Sequence, residues 1–264
     1  MRYVLLTIFL WLSNSAQAQD CPRIISQSPY ITYTLQWLGL EDCIVGVSRY
    51  DTLELPTTGG ILDPDKQAID SLMAEIIFTT NWITEEKMAK STPEGVQFYR
   101  LNGFDSMSEI IQNLKLILDI TNQTQKQHKI HQFSNELRTR IKNINANNRS
   151  ALLLSSCSGS PYSFGKRTWL YDLFQQIGFT LVETHEKIRH LKPGNEIEGI
   201  TSLLNTFKPD ILFIFERKKS SRCKLVIPDV PVKFILLDGE NFLHPAPVIL
   251  KGLKELDKKQ ASWY

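Results

Sequence analysis

The chain has 264 residues, 42% hydrophobic and 22% charged. This globular composition excludes a disordered, collagenous or disulfide-knot protein and suffices for one large or two small cores. Its 30 Lys and Arg stand against 28 Asp and Glu, a net charge of +2, which carries neither a nucleic-acid footprint nor a polyacidic tail.

The one run apolar enough to enter a membrane is residues 3–12, preceded by Arg2 and followed by SNSAQAQ. It is about half a membrane span. One positive charge, a short apolar stretch, and Ala16 and Ala18 in A-x-A spacing predict a secretory signal peptide over residues 1–18. Cys21 stands behind Ala18, Gln19 and Asp20 rather than directly after a lipoprotein cleavage site. The expectation is therefore a soluble protein exported to a periplasm without a lipid anchor. In an oxidising compartment the four cysteines suit disulfides better than a redox or zinc site, and no C-x-x-C spacing occurs.

In chain order, residues 23–28 form a short apolar run. Ile31, Leu35 and Leu38 then show helical spacing that closes at Gly39, and residues 43–48 are apolar again. A strand, helix, strand unit with so short a crossover predicts parallel neighbours. Cys21 and Cys43 then stand at the same amino-terminal edge and are predicted to bridge. Cys157 and Cys223 are left as a second pair or as two free thiols. Residues 63–74 predict a helix with Asp63 as N-cap and Pro64 in its first position. Residues 75–80 and 96–101 are the next strands.

Residues 106–120 are amphipathic. A polar stretch then runs to Asn148 with one apolar stripe at Ile130, Phe133, Leu137, Ile141 and Ile144. This predicts a long helical strut between two domains. Beyond it, strands at 151–156, 179–183, 210–216 and 232–237 alternate with helices at 166–178, 199–207 and 249–260. The predicted fold class is α/β, with two parallel-sheet lobes joined by one long interlobe helix. The lobes cover residues 19–104 and 149–264, with the helical region 105–148 between them.

Ligands of open parallel sheets bind outside the carboxyl ends of the strands. Those ends carry Arg49, Tyr50, Trp82, Tyr162, Phe164, Lys166, Arg217 and Lys218. Two such edges facing each other form a cleft suited to a flat or anionic ligand. The segment GSPYSFGKR is not a Walker loop, because five residues separate its glycines and Arg167 takes the place of the hydroxyl residue. No G-x-S-x-G, H-E-x-x-H or paired-carboxylate pattern is present. His128 and His131 fall on the strut, His185 and His190 in a predicted loop, and His244 apart from both. No three-ligand metal site can be assembled from them. The balance favours binding over catalysis.

The segments RIISQSPYITYTLQWLGLEDCIVGVSRYD, GGILDPD, SMSEIIQNLKLI, YSFGKRTWLYDLFQQIGF, FKPDILFI and HPAPVILKGLKEL resemble, in order, the cobalamin and iron-chelate periplasmic binding proteins of ABC importers. That is the helix-linked, class III family. The resemblance implies a monomeric, non-enzymatic receptor without an intrinsic cofactor. Such a receptor captures a corrinoid, a ferric siderophore or haem and delivers it to an inner-membrane permease. Its ligand contacts would fall on Tyr50, Trp82, Phe164, Gly239, Glu240, Asn241, Phe242 and Leu243. Asn241 stands where the cobalamin binder has an aromatic, and an aromatic near Thr58 is also missing. Arg49, Lys166, Arg217 and Lys218 offer partners for carboxylates or iron-bound oxygens instead. The family's acidic permease-docking positions fall on Gln67 and Ser202, which are uncharged, so neighbouring acids such as Asp65 and Glu198 are the expected substitutes. The alternative function is a two-lobed enzyme or chelatase working on a metal complex. Turnover would mark that alternative; a ligand eluted unchanged would mark the receptor.

Overall fold

The computed structural model describes residues 21–155, 160–217, 228 and 230–263. The N-terminal lobe opens with β1 (Ile24–Ser26), α1 (Pro29–Leu38) and β2 (Ile44–Val47). Pro29 occupies the start of α1, where a missing N–H is no loss, and Gly39 ends the helix in the left-handed conformation at φ 69°. β1 and β2 pair in parallel, and Cys21 and Cys43 form the expected disulfide with Cα atoms 5.9 Å apart. α2 (Lys66–Ser71), β3 (Ile76–Thr80), α3 (Glu85–Ser91) and β4 (Gln97–Leu101) complete an all-parallel sheet of order β2-β1-β3-β4. Every residue of β1 and β3 is buried, as in a sheet covered on both faces.

Two helix expectations are corrected. α2 starts later than predicted: Gly59 and Pro64 still pair across an antiparallel bridge, so Asp63 remains in the turn and Asp65 is the N-cap. The predicted strut is two helices, α4 (Ser108–Ile120) and α5 (His128–Asn143). The break is at Asn122, which takes φ 54°. The Gln123 N–H donates to the Leu118 carbonyl and the Asn122 N–H to that of Asp119. This is a left-handed helix terminus, a role Asn fills nearly as well as Gly.

The C-terminal lobe contains β5 (Ser150–Ser155), β6 (Tyr162–Phe164), α6 (Trp169–Ile177), β7 (Thr180–Leu181) and β8 (Ile188–His190). It continues with α7 (Ile200–Phe207), β9 (Ile211–Glu216), β10 (Lys233–Asp238), α8 (Gly239–Phe242) and α9 (Ile249–Lys259). Its sheet has order β10-β9-β5-β6-β8, with β7 beside the start of β5. β10, β9, β5 and β7 are parallel, but β6 runs antiparallel to both of its neighbours, β5 and β8. The expected second parallel sheet is therefore mixed, and His190 lies on a strand rather than in a loop.

One apolar cluster runs through both lobes. It includes Ile24 and Phe78 of the first sheet, Leu153 and Phe213 of the second, and Phe133 and Leu137 of α5. The predicted stripe on α5 is the inward one: Phe133, Leu137 and Ile144 are buried, and Ile130 and Ile141 pack against them. A continuous core makes the two lobes one packed body rather than two beads on a hinge.

Candidate functional site

Residues that follow β3 and β4 face residues of β6 and β8, and one that follows β9, across a cleft of about 410 Å³. Trp82, Phe104 and Asp105 come from the N-terminal side. Tyr162, Phe164, Arg167, Thr168, Trp169, Lys187, Ile188, His190, Arg217 and Leu243 come from the C-terminal lobe.

Each wall is held by backbone geometry. After β3 the Trp82 N–H donates to Thr80 Oγ1 at 3.0 Å, and the Asn81 N–H reaches the Leu101 carbonyl at 3.0 Å. Trp82 then lies on Phe104, with ring centroids 4.3 Å apart and planes 30° apart. Phe104 meets Trp169 edge to face at 5.2 Å, and Trp169 meets Phe164 at 5.6 Å. Phe164 meets Tyr162 at 5.5 Å, and Tyr162 meets His190 at 5.9 Å. The result is a continuous belt of rings from one lobe to the other.

The antiparallel β6–β8 pair explains why this wall is aromatic on one side and ionic behind. Tyr162 sits opposite His190 and Phe164 opposite Ile188, and these four line the cleft. Ser163 and Arg189, opposite each other between them, point the other way. Both bond the buried carboxylate of Glu183, Arg189 through Nη2 at 2.9 Å and through Nε. Burial by itself would raise the pKa of Glu183. The bonds from Arg189, Ser163 and the His185 N–H outweigh it and hold the carboxyl below the usual range. Gly165 is required next to this wall, because a Cβ there would lie 2.1 Å from the Lys187 carbonyl oxygen.

The cleft is cationic on its C-terminal side. Arg167, Lys187 and Arg217 stand against one acid, Asp105, which reaches across to Lys187 at 3.5 Å. Arg217 is also 3.5 Å from Glu240, whose other oxygen is 3.3 Å from His244 Nε2.

Of the residues named from sequence, Trp82, Tyr162, Phe164, Arg217 and Leu243 come together on the cleft wall. Several others do not. Tyr50 is 58% exposed and off the wall, and Arg49 pairs with Asp63 at 2.6 Å. Lys166 is exposed, and its neighbour Arg167 takes the place expected of it. Phe242 is wholly buried against Phe215 and Phe174, and a Cβ on Gly239 would sit 3.0 Å from the Glu216 backbone, so both serve packing. Glu240 and Asn241 lie on α8 behind the wall. Lys218, Cys157 and Cys223 fall outside the described residues. Sequence reasoning missed Phe104, Asp105, Trp169, Lys187 and His190. Phe104 and Asp105 directly follow β4, so the rule of strand ends would have found them.

Of the docking positions, Asp65 Oδ1 accepts the N–H groups of Gln67 at 3.0 Å and Ala68 at 3.1 Å, and Gln67 is exposed beside it. Glu198 accepts from the Gly194 N–H, and Ser202 Oγ from the Gly199 N–H in the first turn of α7. α2 and α7 each lead into a strand of their sheet, so both helix starts lie on the carboxyl-edge side, to which the cleft opens. Among the described residues no group of three metal-type side chains converges, and no helix is long and apolar enough to cross a membrane.

No protein-family model matches the chain, and no curated protein matches it in sequence. Solved structures match it in fold. The periplasmic heme-binding protein RhuT from Roseiflexus sp. RS-1, in apo form, superposes with a TM-score of 0.73 at 16% identity, over 92% of this chain and 99% of that one. The periplasmic vitamin B12 binding protein BtuF of Vibrio cholerae gives 0.70 at 17%, over 92% and 97%. A structure of the ABC-type Fe3+-hydroxamate transport system from Saccharomonospora viridis DSM 43017 gives 0.63 at 16%, over 90% and 92%. The fold is thus that of the class III periplasmic binding proteins: mixed α/β, with a parallel sheet in one lobe.

Proposed function

We propose that this chain is the substrate-binding protein of an ABC importer, working in a periplasm, and that it captures a metal chelate with flat faces and acidic substituents between its lobes. The observation that carries the reading is the ring belt from Trp82 to His190, lining a cleft that has Arg167, Lys187 and Arg217 on one wall. Aromatic faces stack on a planar ring system, and guanidinium and ammonium groups pair with carboxylates. Haem and acid-bearing ferric siderophores satisfy both demands. A corrinoid, whose side chains are largely amides, uses the rings but offers Arg167, Lys187 and Arg217 no carboxylate of its own. Tyr162 and His190 also put a phenol and an imidazole on the wall, where an iron centre would find an axial donor. The names of the three solved neighbours, which speak of heme, vitamin B12 and Fe3+-hydroxamate transport, support this class of cargo by analogy. No observation favours the enzyme alternative.

The test is native mass spectrometry of the protein purified from its own periplasm, followed by titration with hemin, a ferric hydroxamate, a ferric catecholate and cyanocobalamin. The expected result is a co-purifying anionic chelate that quenches tryptophan fluorescence and raises the melting temperature. If no member of the panel changes either quantity, the proposed function fails.

A further inference from the structure

Apart from the cleft, one groove draws its walls from three separate parts of the chain. It holds about 340 Å³ where α1 of the N-terminal lobe, α5 of the linker and α9 of the C-terminal lobe converge. Trp37, Val248 and Leu250 give it an apolar lining, and Arg140, Lys251 and Lys254 give it a cationic rim.

The charge around it is lopsided. α5 and α9 together carry eight Lys or Arg against three Asp or Glu, although the whole chain nets only +2. Arg140 is paired with Glu136 at 2.6 Å, whereas Lys251 and Lys254 are exposed and have no carboxylate partner among the described residues. The Trp37 ring packs edge to face against Phe133 at 6.2 Å and borders the groove.

We propose that this groove is a second binding site, separate from the cleft, for a small amphipathic organic anion. Its apolar body lies on Trp37, Val248 and Leu250, and its carboxylate or phosphate lies between Lys251 and Lys254. Charge complementarity selects an anion, and the apolar lining selects one with a hydrocarbon or aromatic body. Because the walls come from both lobes and the linker, the occupant touches all three at once. The proposal does not depend on what the cleft carries.

The test uses the full mature chain with nitrogen-labelled tryptophan, titrated with decanoate and followed through the indole N–H resonances. Decanoate is expected to move the Trp37 resonance saturably and leave that of Trp82 in place. The doubly substituted chain Lys251→Glu, Lys254→Glu, whose exposed positions leave the fold intact, is expected to bind about tenfold more weakly. Equal binding of uncharged decanol, a shift at Trp82 in place of Trp37, or no saturable shift overturns the proposal. A parallel arm uses phosphatidylglycerol vesicles. Binding to the vesicles without binding of free decanoate would make this face a membrane contact and would also overturn it.

Discussion

Phe104 and Trp169 meet twice across the boundary between the lobes. The Trp169 N–H donates to the Phe104 carbonyl at 3.2 Å, and the two rings stand edge to face at 5.2 Å. The Trp169 indole N–H is anchored in turn to the Phe242 carbonyl at 3.1 Å, and the Phe104 ring also meets those of Trp82 and Tyr30. The ring belt of the cleft is thus also part of the joint between the lobes.

A joint of this kind, backed by a core that runs through both lobes, resists opening. Ligand is therefore expected to cause only a small closure, with little change in the radius of gyration measured by solution scattering. A large contraction on ligand addition would show that the shared core does not hold the lobes together.

Trp82 is 54% exposed and offers one face to the cleft while the other is covered by Phe104. Trp82→Ala removes a stacking surface without opening the core. It is expected to weaken chelate binding by about 1 to 3 kcal/mol, with little effect on the melting temperature. Tryptophan quenching titrations of both proteins measure the difference. Equal affinities would take Trp82 out of the site.

Glu183 holds the back of the same wall. Glu183→Gln leaves Arg189 with only the exposed Glu196, at 3.4 Å, as a charge partner and is expected to cost about 3 kcal/mol of stability near neutral pH. The sign of the pH effect follows from the lowered pKa of Glu183. Its contribution is complete above the ordinary carboxylate value and is lost as pH falls through the lower, folded value. Thermal melts should therefore show the native chain converging on Glu183→Gln at pH values below about 4. A gap that does not narrow as pH falls through that range would mean that Glu183 is not ionised in the fold.

The main strands were legible because fully covered strands read as unbroken apolar runs: ALLLSS and DILFIFE became β5 and β9, buried almost throughout. β6 and β8 were not legible. Each has three residues of mixed polarity, and their pairing depends on Glu183, twenty positions along the chain from Ser163. The same gap hid half of the site. Trp82 and Arg217 follow long parallel strands and were found by that rule, whereas Lys187 and His190 reach the cleft through the antiparallel pair. The end of α4 was not legible because the polar run around Asn122 holds no glycine or proline, and only the left-handed backbone of Asn122 shows it as a terminus.

The bridge between Cys21 and Cys43 closes a loop with a sequence separation of 22. Its loss is expected to cost about 3 kcal/mol, or roughly 6 to 12 °C in melting temperature for a chain of this size. Calorimetry of Cys21→Ser, Cys43→Ser against the native chain checks the figure. Non-reducing peptide mapping checks the pairing, and a link from Cys21 to Cys157 or Cys223 would contradict the order of strands in the first sheet.

The last prediction concerns the surface that would meet a permease. Asp65 and Glu198 stand at the starts of α2 and α7, on the side to which the cleft opens, while the docking positions that the sequence resemblance implies are the uncharged Gln67 and Ser202. Asp65 is also the cap of α2, so Asp65→Ala would mix a lost charge with a cap loss of about 1 kcal/mol. Asp65→Asn avoids this, because the amide oxygen still accepts the Gln67 and Ala68 N–H groups, and Glu198→Gln likewise keeps an acceptor for Gly194. Exposed ion pairs are weak one at a time, but a matched pair on two lobes sets orientation and on-rate. Uptake of the chelate by the native host is therefore expected to fall in the chain carrying both substitutions, with a smaller loss for either one and no change in chelate affinity or melting temperature. Unchanged uptake in the double variant would mean that neither acid docks, and would leave a charge-independent contact through groups such as the exposed Leu62 as the surface to test next.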